Sequence, residues 1–428
     1  MKKIKRRFLR TLGVLFGLLL IWNIFYFFSL SKTPDRQYEP LTTGTADSEY
    51  SFQIEQATDY LKTVTERINT PSFSIAVGHN DRIVWSAAAG FADVEEEKPA
   101  TPQTQYRIGS TSKAVTATGI AHLVDAGALN LDAYVGDTIV NWPKKDWNFT
   151  TRQLLSHTAG VGNYEDFGIA SARYTLCNCV QFNSVTEGLS VFNRYDLLYE
   201  PGTNFKYSTF DVNLASAVLE QASGQEFLPY LKERIFDPLQ MTSTYGDHAQ
   251  PKTEHFATFY ETDGGYYREF RNFGMAYDVN LSYKWAGGGI ISTPSDLVKM
   301  GNAYLNDTTF LSSNIKQQLW TPMKLRDGSI NVQEYAMGWR SYLAFEEEYM
   351  LDGKPVWMVH HGGVSKGSMN FLVIFPNYNL VIDASINTIA DKFSDFSREV
   401  RIIADFFLQE IEKQELPWYQ DIKEEVAL

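Results

Sequence analysis

Ser110 and Lys113 stand three residues apart in the stretch Tyr106-Arg-Ile-Gly-Ser-Thr-Ser-Lys-Ala-Val-Thr-Ala117. A glycine precedes the serine, and a run with helical apolar spacing follows it. Residues three apart at a helix start share a face, which would set the Lys113 amine beside the Ser110 hydroxyl. The free amides of a helix N-terminus also favour negative charge developing there. Together these features describe an activated serine nucleophile with a lysine as its base. The spacing alone does not decide, because Ser29 and Lys32, and Ser313 and Lys316, repeat it.

Other stretches follow in order. They are Leu154-Leu-Ser-His-Thr-Ala-Gly-Val161, Glu200-Pro-Gly202 ahead of Tyr207-Ser-Thr209, and Phe236-Asp-Pro-Leu-Gln-Met241. Beyond these come Ala286-Gly-Gly-Gly-Ile-Ile-Ser-Thr293 with Asp296, Tyr335-Ala-Met-Gly-Trp339, and His361-Gly-Gly363. In this order, over about residues 52 to 410, the chain resembles the class C β-lactamase family of serine hydrolases. That family includes D,D-peptidases (penicillin-binding proteins), family VIII esterases and LACTB-like proteins. The resemblance implies Ser110 as the acylated nucleophile, Lys113 as its neighbour in proton transfer, and Tyr207 as the second proton-handling group. It implies an oxyanion hole from the amides of Ser110 and Val364, with His361, Gly362 and Gly363 on a strand lining the cleft. It implies an α+β, β-lactamase/D,D-peptidase-like fold and no cofactor. The expected substrate is a small molecule or peptide: an ester, a D-amino-acid peptide or a β-lactam.

Two departures bear on that substrate. Thr209 stands where the family often has the Asn of Tyr-x-Asn, and a hydroxyl cannot present the two-sided pattern of an amide. His361 replaces the Lys of Lys-Thr-Gly, and a neutral imidazole lacks a fixed positive charge. Both changes lean toward an ester or short peptide. A catalytically silent descendant that binds cell-wall peptide or a protein partner is the alternative they leave.

The positioning elements are partly visible. Phe73–His79 and Arg82–Ala88 flank Asn80-Asp81, a hairpin signal. The Ser110 helix is expected to run to about Ala126 and stop at Gly127, and another helical period spans Phe52–Ile68. Strand-like runs return at Pro355–His360, Met369–Pro376 and Leu380–Ile386, before an amphipathic helix at about Phe393–Lys413. Strands at both ends around a helix-rich middle predict one antiparallel sheet flanked by helices, with an inserted helical region.

The first ten residues carry six basic side chains and no acid, whereas the whole chain is −13. An acidic body argues against a nucleic-acid partner. Thr11–Leu30 is uncharged over 20 residues, the length of a membrane-crossing helix. The expected organisation is therefore a basic cytoplasmic N-terminus (1–10), a transmembrane signal-anchor (11–30), a linker (31–48), the hydrolase domain (49–414) and a tail (415–428). By the positive-inside pattern the domain would lie outside the cytoplasm, on a single-pass inner-membrane protein. Cys177 and Cys179 have neither disulfide-framework nor zinc spacing, and no metal-ligand set appears. Gly287-Gly-Gly289 lacks P-loop spacing and is expected as a close-packed turn. His157 is expected to support the fold. The aromatics Phe256, Phe259, Tyr260, Tyr266, Tyr267 and Phe270 either line a cleft or cover the sheet.

Overall fold

The computed structural model describes residues 2–28, 39–139, 142–168, 180–263, 266–269, 279–343, 349–351 and 353–427. Cys177, Cys179 and Phe270 lie outside these residues.

Helix α1 (Lys2–Phe28) precedes the body. Among the described residues no helix is long and apolar enough to cross a membrane, so the expected anchor rests on the sequence. Strand β1 (Leu41–Ala46) pairs with β3 (Arg82–Asp93). The stretch expected as a linker up to residue 48 therefore already contributes a sheet edge. Between them lie helix α2 (Ser51–Leu61) and β2 (Ser72–His79). The helical period expected through Ile68 breaks after Leu61 and resumes only as Val64–Arg67.

The β2–β3 hairpin turns at Asn80 and Asp81, with φ of 50° and 65°. Two left-handed residues give the turn whose twist matches paired strands, and Asn and Asp tolerate that conformation better than most side chains. The main run of the central sheet continues with β4 (Arg340–Tyr342), β5 (Met358–Ser365), β6 (Ser368–Phe375) and β7 (Leu380–Ile386). The sheet order is β1-β3-β2-β7-β6-β5-β4. Strands from the two ends of the chain thus join at β2 and β7, with Ile75 opposite Ala384.

Every residue of β2, β6 and β7 is buried. Helices cover both faces, which explains why even the polar positions of these strands, such as Ser74 and Asp383, are buried. Helix α5 (Pro294–Asn306) lies against β2 and β7 on one side. Helix α6 (Phe393–Leu408) packs with α2 on the other. The inserted region between β3 and β4 supplies α3 (Ser112–Asp125) and α4 (Thr209–Ser223).

Residues 415–428, expected as a tail, instead carry α7 (Pro417–Ala427). Trp418, Tyr419, Ile422 and Val426 recur at helical spacing in an otherwise charged stretch. Tyr419, Ile422 and Val426 are buried in the main core, and the Tyr419 ring stacks on Trp357 at 4.5 Å. Of the five described aromatics, Phe256 and Phe259 cluster with Tyr106, and Tyr260 and Tyr267 are buried, while Tyr266 is exposed, so most of them are cover.

Candidate active site

Ser110 sits in a short turn of 3-10 helix, Gly109–Thr111, that runs directly into α3. Lys113 follows one turn later and is fully buried. Its Nζ lies 3.1 Å from Ser110 Oγ, 2.5 Å from the Gly287 carbonyl and 3.5 Å from Thr209 Oγ1. Nζ can donate to all three oxygens as an ammonium; as a neutral amine it keeps two of these bonds and has a lone pair free to accept the Ser110 hydroxyl. Burial, then the nearby Arg340, pushes the Lys113 ammonium well below its ordinary range.

The Gly287 carbonyl is itself held. Asn213 Oδ1 accepts the Gly287 N–H at 2.9 Å, and its Nδ2 donates to the Tyr283 carbonyl at 3.1 Å. A Cβ on Gly287 would stand 2.5 Å from the Thr209 carbonyl oxygen, so this turn is as close-packed as expected. Asn213 was not singled out from sequence. It sits four residues past Thr209 on one face of α4, the spacing that could have flagged it.

Tyr207 stands one residue before Ser208, the N-cap of α4, in the approach to that helix. Its ring lies 4.8 Å from Lys113 Nζ and 4.4 Å from the His157 ring. Burial raises its phenol, while Arg340 and a hydrogen bond with Ser110 pull the other way. The group stays a phenol at neutral pH, able to donate its proton. Thr209 is turned inward to Lys113, and its amide donates to Asn163 Oδ1 at 3.3 Å.

Strand β5 packs against the serine turn without any gap. A Cβ on Gly363 would meet the Ile108 carbonyl oxygen at 1.8 Å and the Ser110 nitrogen at 2.9 Å. Gly109, at φ +53°, likewise abuts the Val364 main chain. Only glycines permit this approach, which sets the backbones of Ser110 and Val364 side by side. His361 is fully buried. Its Nδ1 lies 2.8 Å from the Gly362 carbonyl, which only accepts, so that nitrogen carries the proton. Its Nε2 then accepts the Tyr335 hydroxyl at 2.9 Å. The ring has no donor left for a substrate, and burial keeps it uncharged.

A cleft of about 520 Å³ opens over Ser110 and Tyr207. From β5 it receives His360, Gly362 and Val364; from β4 it receives Arg340 and Tyr342. Arg340 stands opposite His360 in the strand register. It donates to Gln333 Oε1 at 2.6 Å and lies 5.6 Å from the Tyr207 ring. Among the described residues it makes no ion pair. Arg340, which was not singled out from sequence, brings to this cleft the positive charge that His361 lacks.

Ser110, the buried Lys113 amine, the Tyr207 phenol and a glycine-lined strand edge meet at one cleft on an α+β fold. The family model for beta-lactamase matches residues 57–401, and the chain belongs to that family. It is 28% identical over 404 residues to the mitochondrial serine beta-lactamase-like protein LACTB of Homo sapiens, covering 76% of this chain and 73% of that protein. Among solved structures, the octameric penicillin-binding protein homologue of Pyrococcus abyssi shares the fold. Its TM-score is 0.66 at 22% identity, over 86% of this chain and 80% of that one. A D-stereospecific amidohydrolase from Streptomyces sp. does so at 0.64 and 21%, over 81% and 97%.

Proposed function

We propose that the protein is a serine hydrolase that cleaves an ester or peptide-type amide through a Ser110 acyl-enzyme. The observation that carries the reading is the buried Lys113 amine 3.1 Å from Ser110 Oγ, where burial disfavours its charged form. Ser110 Oγ attacks the carbonyl carbon as its proton passes to Lys113 Nζ. The Ser110 and Val364 amides hold the oxyanion, where losing one donor typically costs about 2.7–4 kcal/mol. Tyr207 protonates the leaving alkoxide or amine as the carbon–heteroatom bond breaks. Water then attacks the acyl ester, giving a proton back to the relay and releasing the acid and free Ser110.

The test is covalent. Incubation with a fluorophosphonate is expected to add one phosphonyl mass to the wild-type chain, located on Ser110, and none to Ser110→Ala. Absence of an adduct with any reactive probe would favour a silent binding protein instead.

Arg340 points to a substrate with an anionic group beside the scissile bond. Charge-assisted hydrogen bonds are worth about 1.5–3 kcal/mol, so Arg340→Gln should raise KM roughly 10- to 100-fold for an ester bearing a free carboxylate. The matched neutral ester should change little, and equal effects on both would remove Arg340 from recognition.

The reading includes attachment to a membrane through α1. Its support is the uncharged run from Thr11 and the exposure of Leu12, Leu15 and Leu18. Release of the full chain from membranes by alkaline carbonate would exclude an integral anchor.

A further inference from the structure

Behind Tyr207 lies a buried pair that the acylation scheme leaves unused. Asp211, on the first turn of α4, is completely buried, as is His157. Asp211 Oδ2 lies 2.9 Å from His157 Nδ1. The same nitrogen faces the Ser208 amide at 3.3 Å. An amide N–H can only donate, so this contact favours an Nδ1 that offers its lone pair and carries no proton. With Asp211 Oδ2 a hydroxyl, it and the Ser208 amide share the one Nδ1 lone pair, and the ring proton sits on Nε2, which has no hydrogen-bond partner. Asp211 Oδ1 has no hydrogen-bond partner. An ionised carboxylate left in that condition would be far more costly than a neutral acid. His157 holds its place at a left-handed φ of 60°, with its ring packed 4.4 Å from Tyr207 and 4.6 Å from Tyr335.

We propose that Asp211 is a positioning residue kept as the uncharged carboxylic acid, which fixes His157 behind Tyr207 and leaves Lys113 with no carboxylate counter-ion. The inference rests on the acyl-enzyme reading for its catalytic consequence, though not for the protonation state itself. The groups that face Asp211 electrostatically are Lys113 of α3, Tyr199 and Tyr335, together with His157. Arg340 acts on Lys113 and His157 from β4. Burial moves Asp211 well above and His157 well below their ordinary values, the same direction the hydrogen-bond geometry favours. An ionised Asp211 would raise Lys113 and hold it as an ammonium, which cannot accept the Ser110 proton. A neutral acid at the same place keeps the hydrogen bond to His157 and removes that obstacle.

Two measurements on the full-length protein in detergent test this. Nitrogen NMR of labelled histidine, assigned with His157→Gln, should show His157 neutral with its proton on Nε2 at neutral pH. An Nδ1–H tautomer or an imidazolium would overturn the proposal, and the experiment needs no variant of Asp211 to fold. The second follows the rate of fluorophosphonate labelling of Ser110 against pH. Asp211→Asn, whose amide also donates to Nδ1, should keep the wild-type rate within about threefold, whereas Asp211→Ala should lose roughly tenfold or more. The acid limb of the Asn variant should overlay the wild type. If Asp211 were a carboxylate, removing its charge would make Lys113 easier to deprotonate. The limb would then move to lower pH by about one unit or more, which would overturn the proposal. Failure of the wild-type chain to label at all would sink the hydrolase reading, while the histidine tautomer would still decide the state of Asp211.

Discussion

Lys113→Met is expected to give a protein that is more stable than the wild type and nearly inactive. Lys113 is fully buried, and its ammonium is pushed well below the ordinary 10.5, mainly by burial. In the unfolded chain the side chain returns to its ordinary value. Between the depressed folded value and 10.5 the unfolded state therefore binds more protons, so stability rises with pH across that window. Below the window the full penalty of burying the base is felt; above 10.5 it vanishes. Methionine fills a similar volume without a charge, so its gain in Tm should be clear at neutral pH and shrink toward pH 10. Ser110 meanwhile loses its proton acceptor. General-base removal typically costs about 10²–10⁴ in rate, and kcat/KM on a p-nitrophenyl ester should fall by that order. Thermal melts at several pH values and one ester assay check both halves. A variant that loses Tm together with activity would make Lys113 a packing residue rather than a base held at a cost to stability.

The neighbourhood of Ser110 and Lys113 was readable because their spacing sets them on one helix start, and Tyr207 because it belongs to a short pattern ahead of α4. The sheet joining both termini was readable too, since its strands are brief apolar runs bounded by turn residues. What escaped depended on distance through space. Arg340 looks unremarkable beside Trp339 until β4 pairs with β5 and turns it into the Ser110 cleft. His361 reads as a weakened substrate ligand, yet folding commits its two nitrogens to Gly362 and Tyr335. Asp211 has no local signature, because its meaning comes from His157, 54 positions earlier. Helix α7 was passed over because four charges interleave with its four apolar stripe residues, and only the distant Trp320 and Trp357 give that stripe something to cover.

Gly363→Ala is the other substitution with a large expected effect, and it separates packing from chemistry. The added methyl would lie 1.8 Å from the Ile108 carbonyl oxygen and 2.9 Å from the Ser110 nitrogen. Both are main-chain atoms, so no side-chain rotation relieves the overlap; β5 and the serine turn must separate. Overpacking of this kind costs about 1–3 kcal/mol of stability when a core can yield. The atoms that move are also those proposed above to frame the oxyanion. Misplacing one such donor costs about 10²–10³ in kcat. The expected variant therefore folds with a lowered Tm, still has Ser110 beside Lys113, and loses at least about 10² in kcat with a smaller change in KM. Gly136→Ala supplies the control, because a Cβ there meets nothing within 4 Å and should leave kcat unchanged. If Gly363→Ala lowered Tm without lowering kcat, the close approach of β5 would serve the fold alone. The oxyanion would then have to be held by groups other than the Ser110 and Val364 amides.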